Sequence, residues 1–274
     1  MCFTTSLPFK ELYKAVNDDV NARQVFYSTN FDSAATDHLF SDNFFFMKIN
    51  SITQVSIILS FVAGYADTST FVGVDGLFSA HVTGNFVVFA YDIVTDQIAL
   101  SWLKLTSVPV FILSIVFCSL LINDSDISKR NTNKLLIIEG LLLITAGGMT
   151  YFYRYENIAF VFKVIIPMLV VFALGLQNAY GRFSAKEILA PTTVMTGNVT
   201  QLFIDITHHL KFKNRQEYEL SIKIVNGSYV ISSFLVGCIT GGLITKSIGL
   251  SSTVFAGILV FIVSSIKKGS ASKS

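Results

Sequence analysis

The sequence predicts an all-α protein: a polytopic transmembrane helix bundle of six spans plus two short half-helices, arranged as an internal inverted repeat (3+3). Three observations predict it. The 274 residues are 52% hydrophobic and only 14% charged, with a mean hydropathy of +0.60, whereas a soluble domain carries about a quarter charged residues. A short stretch occurs twice, as His81-Val82-Thr83-Gly84-Asn85 and Val194-Met195-Thr196-Gly197-Asn198, each time after a long apolar segment and with an aspartate, Asp92 or Asp205, seven positions beyond the asparagine. Basic residues also fall unevenly between the segments, as a membrane orientation requires.

Residues 1–50 are polar and lack the apolar core of a signal peptide. Two readings stand side by side: a cytoplasmic extension, helical in part around Phe9 to Val16, or a native start at Met47, just ahead of Lys48. The first repeat is expected over 51–153, the second over 154–268, and a C-terminal tail over 269–274.

The apolar segments are Ile52 to about Phe71, Leu105 to Ile122, Leu135 to Tyr153, Ile158 to about Leu176, Tyr229 to Ile244, and Leu250 to Ile266. Each approaches the roughly 20 residues that span a hydrocarbon core of about 30 Å at 1.5 Å per residue. The last two are joined by so few residues that a tight helical hairpin follows. Pro109 falls in the first turns of its helix, whereas Pro167 is mid-helix and should kink it. The segments after the two motifs, Phe86 to Val94 and Val199 to Ile206, are too short to cross. Each is expected to enter and return, or to lie at the interface.

With six spans and the N-terminus in the cytoplasm, Lys129, Arg130, Lys134, Arg182, Lys186, Lys211, Lys213, Arg215, Lys223, Lys267, Lys268 and Lys273 all fall inside, and only Lys104, Arg154 and Lys246 outside. Counting the short segments as spans evens out that division, so six spans are favoured. Three spans per unit make the second copy run upside down relative to the first, as in many secondary transporters. Gly64-Tyr65-Ala66-Asp67 stands where Gly175-Leu176-Gln177-Asn178 stands in the second copy. Phe111-Ile112-Leu113-Ser114 corresponds to Phe234-Leu235-Val236-Gly237 after an insertion at 208–223.

In each motif threonine is suited to cap a helix, glycine to a tight turn or a close approach, and asparagine to supply an amide where an unpaired backbone group would be costly. The alternative is that both are merely capped bends. Asp67 lies in an apolar span, where carboxylates face a cavity or partner and mark ion or proton pathways; it could instead sit near the outer surface. Its counterpart, Gln177-Asn178, is neutral, which fits one protonatable or cation-coordinating site. His81 either pairs with Asp67 or Asp75 in a relay or is a polar residue at a helix entrance. Asp92 and Asp205 are expected to be solvated or paired with a nearby cation.

His208-His209 lacks a surrounding ligand set, so no metal is expected, and no cofactor. Gly237 to Gly241 is a GxxxG pattern, a packing face within the bundle or in a homo-oligomer. The triplets Asn123-Asp124-Ser125 and Asn226-Gly227-Ser228 match a glycosylation pattern but face or border the cytoplasm. Cys118 and Cys238 lie in apolar runs as packing residues. There is no Walker loop, nucleophile elbow or dinucleotide fingerprint, so no catalytic residues are expected and the chain is read as non-enzymatic.

The combination of Gly64-Tyr65-Ala66-Asp67, Phe78-Ser79-Ala80-His81-Val82-Thr83-Gly84-Asn85, Leu174-Gly175-Leu176-Gln177-Asn178-Ala179 and Thr193-Val194-Met195-Thr196-Gly197-Asn198-Val199-Thr200-Gln201-Leu202 resembles the YoaK-like family of multi-pass membrane proteins of unknown function. The resemblance spans about residues 50–266, and the polar N-terminal extension departs from it. It implies a plasma- or inner-membrane protein with no settled substrate.

The functional reading therefore comes from the residues. It is a small secondary transporter or channel for a small polar solute or ion, with its site between the two Thr-Gly-Asn half-helices. Asp67 would couple a proton or cation, Thr83, Asn85, Thr196 and Asn198 would supply neutral ligands, Gly84 and Gly197 would allow close approach, and Gln177 and Asn178 would complete the site. Expected partners are membrane lipids and the solute, not nucleic acid. The alternative is a non-transporting scaffold or regulatory protein; an intramembrane enzyme comes last, since only Asp67 and His81 approach a base and a nucleophile.

Overall fold

The computed structural model describes residues 51–96, 100–122, 129–153, 159–184, 188–189, 191–211 and 217–271. The extension at 1–50, the triplet at 123–125, part of the basic insertion (212–216) and the tail at 272–274 lie outside the described residues.

Among the described residues the chain is helical throughout. Helix α1 (Ser51–Gly73) leads to α2 (Gly84–Val94), α3 (Trp102–Leu121), α4 (Lys129–Tyr153), α5 (Phe160–Phe183), α6 (Met195–Lys211) and α7 (Glu217–Ile248). A 3-10 turn (Gly249–Ser252) then joins α7 to α8 (Thr253–Ala271). Five stretches are long and apolar enough to cross a membrane by length and composition: Ile52–Gly73, Trp102–Leu121, Asn133–Phe152, Phe160–Phe183 and Leu220–Ile266. The last runs for 47 residues and holds both α7 and α8, parted where Gly249 takes φ +66. This is the tight hairpin expected from the sequence.

Several helices outrun their apolar segments. α5 continues to Phe183, so Gln177, Asn178 and Arg182 are helical. α7 begins at Glu217 rather than near Tyr229. Hydropathy marks where a helix leaves lipid, and backbone hydrogen bonding carries it further. α6 departs most: it has 17 residues, against the eight or so apolar-leaning positions from Val199 to Ile206. Polar Thr200, Gln201 and Asp205 interrupt the apolar signal without interrupting the helix. α2, with 11 residues, covers about 16 Å at 1.5 Å per residue, about half the hydrocarbon thickness.

α1 stops at a left-handed turn, with Asp75 at φ 43 and Gly76 at φ 82. There the Gly76 N–H donates to the Phe71 carbonyl (2.9 Å), as at many helix C-termini. The helices then pair. α1 lies along α7 and also touches α8; α3 lies along α5; α4 lies along α8 and α5; α2 packs on α3 and α6 on α7. The core between them is apolar, with Leu59, Val62, Leu136, Leu143, Leu174 and Val260 fully buried. The outward faces are apolar too: Leu113 and Leu120 of α3 are 60% and 79% exposed, a surface suited to lipid rather than water.

Glycine makes the tightest of these contacts. A Cβ on Gly64 would collide with the Phe234 carbonyl, and one on Gly237 or Gly241 with the carbonyls of Phe61 and Tyr65. The GxxxG face is therefore spent inside the bundle, against α1, which leaves it unavailable for self-association. On the α3–α5 pair, a Cβ on Gly175 would collide with Ser114 and come within 3.3 Å of Phe111. Gly140 and Gly257 meet across α4 and α8, where a Cβ on Gly257 would be 2.7 Å from the Gly140 carbonyl.

Gly237→Ala should lower stability by about 1–3 kcal/mol through overpacking. Gly148→Ala, with nothing within 4 Å of the added Cβ, should leave it unchanged or raise it. Thermal unfolding of both variants in the same detergent checks the contrast.

Candidate functional site

The loop after α1 folds back on the helix it has just left. Asp67, 4% exposed on α1, turns its Oδ1 to the loop's backbone and accepts hydrogen bonds from the N–H groups of Ser79 (2.7 Å), Ala80 (2.6 Å) and His81 (3.4 Å). Its Oδ2 lies 2.7 Å from His81 Nδ1. A carboxylate facing Nδ1 calls for a proton on that nitrogen. The His81 side chain is 35% exposed and that of Asp67 5%, so a hidden anion orients a reachable imidazole. The ring stands edge-on to Phe234 of α7, with centroids 5.7 Å apart.

Asn85 closes the same loop. Its Oδ1 accepts from the Phe78 N–H (2.8 Å), and its Nδ2 donates to the Phe78 carbonyl (2.8 Å) and to Ser107 Oγ of α3 (2.7 Å). Thr83, expected to cap α2, stands at the N-cap position with helical dihedrals and makes no side-chain cap bond. A tight turn already uses the first donors: Gly84 N–H donates to the His81 carbonyl and Asn85 N–H to the Val82 carbonyl. In the second motif α6 begins at Met195, so Thr196 is already inside the first turn. Both threonines lie on exposed faces, whereas Asn85 and Asn198 are buried.

The second loop repeats this construction with neutral groups. Asn178 Nδ2 donates to Thr193 Oγ1 (2.7 Å), and Asn198 Nδ2 to the Pro191 carbonyl (2.8 Å). Asn85 and Asn198 thus each reach back seven residues. Pro191 has no N–H, which leaves Asn198 without the second bond that Asn85 makes. Gln177 Nε2 donates to Thr192 Oγ1 (2.8 Å) and across to the Leu59 carbonyl of α1 (2.7 Å). The Leu189 N–H donates to Ser56 Oγ, also on α1 (2.9 Å).

The sequence-expected residues therefore gather in two groups on α1: Asp67, His81, Gly84 and Asn85 around one part, and Gln177, Asn178, Gly197 and Asn198 near another. Leu59 and Asp67, where the groups touch α1, are about 12 Å apart along the axis at 1.5 Å per residue. No hydrogen bond among the described residues joins one group to the other. Of the second group, Gly197 and Asn198 border a cavity of about 610 Å³ between α6 and α7, lined also by Arg182, Asp205, Lys223 and Asn226 among others; Gln177 and Asn178 do not line it.

Two charged features lie outside these two groups. Asp92 pairs with Lys104 in a buried ion pair and accepts a bond from Ser101 Oγ (2.8 Å). That meets the expectation of a nearby cation, but Lys104 is a buried partner and not an outer-surface charge. Glu139 of α4 is fully buried, and neither carboxyl oxygen has a partner among the described residues. Its sequence signal was available: a lone carboxylate within an apolar run.

Asn85→Ala strands the Phe78 N–H and carbonyl and should cost about 1–3 kcal/mol for each buried group left unpaired. Asn198→Ala, losing one backbone bond, should cost less; thermal unfolding orders the two. Lys104→Met alone should destabilise by about 3–5 kcal/mol by leaving Asp92 buried without its cation, and adding Asp92→Leu should restore most of the loss.

A model of the family described as protein of unknown function (DUF1275) matches residues 55–266. The transmembrane protein YoaK (UPF0700) of Bacillus subtilis (strain 168) is 24% identical over 184 residues, covering 66% of this chain and 79% of YoaK. No solved structure matches the chain. With long apolar helices and a family match over most of its length, this chain is an integral membrane protein that belongs to the DUF1275 family.

Proposed function

We propose that the protein is a small secondary transporter for a small polar solute or ion, without enzymatic activity. It crosses the membrane six times in two triplets of opposite orientation, with its N-terminus in the cytoplasm. The exchange of helix partners supports the repeat. Gly64 of α1 packs on Phe234 of α7, and Gly175 of α5 on Phe111 of α3; these are the residues that correspond when the halves are aligned. α4 and α8 pair with each other, as third helices related by a two-fold axis would.

The solute's route follows one stripe of α1. Thr53, Ser56, Ser60 and Asp67 recur at helical spacing and are all buried. At the cavity end Thr53 Oγ1 donates to Asn226 Oδ1 (3.4 Å) and Ser56 accepts from Leu189. Ser60 Oγ is buried with no partner, and Asp67 holds His81. Facing this stripe, the cavity-lining residues Lys223, Asn226, Gly227 and Val230 of α7 continue on the same helical face to Phe234, which abuts His81.

The observation that carries the proposal is the Asp67–His81 pair, a buried carboxylate holding a partly accessible imidazole beside an intramembrane loop. His81 takes up and releases the coupling proton, and Asp67 stabilises the charged ring. One observation favours the alternative of a non-transporting scaffold: three backbone N–H groups also bind Asp67, a bond pattern that serves structure alone.

Proteoliposomes loaded with a pH-sensitive dye separate the two. Presented with a panel of organic acids, amino acids, sugars and cations, the protein should give solute-dependent proton flux. His81→Gln should reduce it at least tenfold while circular dichroism and gel filtration stay native. Unchanged flux in both His81→Gln and Asp67→Asn removes the pair from the mechanism, and no flux with any solute favours the scaffold.

A further inference from the structure

The cavity between α6 and α7 has a size and a charge arrangement of its own. Its volume of about 610 Å³ lies within the range of small-molecule sites, roughly 300–1,000 Å³. Its lining carries Arg182 and Lys223 against a single carboxylate, Asp205.

These charges are not mixed evenly. α6 and α7 run antiparallel, joined by a short connection, and Leu202 lies on Gly227, 3.5 Å from where its Cβ would be. One helical turn further along each helix, Asp205 and Lys223 come level, so the opposite charges share one end of the cavity. Asp205 is further occupied by Gln201, whose Nε2 donates to it at 2.9 Å.

The lining's other cation is Arg182, in the last turn of α5, and Val194, Gly197 and Asn198 stand at the end of the cavity away from Asp205. This end also receives the first turn of α6, whose leading N–H groups have no carbonyl one turn back within the helix and carry partial positive charge. A guanidinium presents paired donors in a plane that match a carboxylate or a phosphate.

We infer that this cavity is a binding site for a small organic anion, whose carboxylate or phosphate group is held by Arg182 and whose polar remainder reaches toward Asp205 and Lys223. The inference rests on the reading of the cavity as the solute's way in, and it names the class of solute. Proton coupling suits an anion: a proton carried on His81 offsets the charge of the solute moving with it. A phospholipid headgroup offers the same phosphate chemistry, so the source has to be separated by experiment.

The test uses the full-length protein, first in a neutral detergent. Its thermal midpoint is read against succinate, inorganic phosphate, glucose and tetraethylammonium at equal ionic strength. At least one of the two anions should raise the midpoint saturably, with glucose and tetraethylammonium without effect. Arg182→Gln should weaken that anion about tenfold or more, and Lys223→Gln, on the same side of the cavity as Asp205, by less. Equal stabilisation of the native protein and Arg182→Gln, or stabilisation by tetraethylammonium alone, overturns the site.

Nanodiscs of phosphatidylcholine, with and without phosphatidylglycerol, supply the second arm. Anion binding that persists in both supports a free solute. Binding lost with phosphatidylglycerol, and a lipid effect lost in Arg182→Gln, assigns the site to a headgroup and overturns the solute. Because binding is read without flux, anion binding with no transport leaves this site standing and removes the transporter reading. Transport of an anion unchanged by Arg182→Gln does the reverse.

Discussion

A loop that enters a helix bundle in lipid carries backbone groups that water cannot reach, and each must find a partner within the protein. That requirement explains why the chain places a carboxylate and two amides where it does. Asp67 takes up the N–H groups of Ser79 and Ala80, Asn85 takes both polar groups of Phe78, and Asn198 takes the Pro191 carbonyl. Remove these side chains and the loops after α1 and α5 lose the partners of several of their backbone groups.

The same bonds prepare chemistry. A carboxylate held on one oxygen by backbone donors is fixed in direction, and its second oxygen then fixes the ring of His81. Holding the loop and orienting the imidazole are therefore successive uses of one side chain. In the second half, Asn178 takes the place of Asp67 and reaches a threonine hydroxyl. It holds its loop without a charge, and among the described residues Asp67–His81 is the one histidine–carboxylate pair.

Much of this was legible in the sequence because its signals were local. Apolar length marked the membrane-long helices, and the doubled Thr-Gly-Asn marked the loops. The alignment of Gly64 with Gly175 and of Phe111 with Phe234 paired positions that both turn out to lie at helix contacts, but it did not say which helices touch. What stayed hidden depended on packing. The true length of α6 was hidden because polar residues on one face of a helix do not end it. The outward turn of Thr83 goes with a turn that already satisfied the first N–H groups, and that of Thr196 with its place inside the first turn of α6. The joining of Asp92 to Lys104 needed the α2–α3 hairpin to form first. Glu139 is the exception: its anomaly was plain in the sequence, but it belongs to neither motif, and nothing local said that it would find no partner among the described residues.

The glycine contacts have a mechanical side. Where a carbonyl oxygen occupies the space a methyl group would need, a slide by part of a turn brings a bulkier residue onto the same oxygen. α1 and α7 are thereby locked in register; at Gly175 the space is taken by the Ser114 side chain, which holds α3 close to α5 without a backbone stop. The α1–α7 pair behaves as a stiff double beam. The two pairs touch at a slight seam between α1 and α5, bridged by the Gln177 side chain on the Leu59 carbonyl, and are also tied through α4 and α8, so a shift of one pair against the other carries those helices with it.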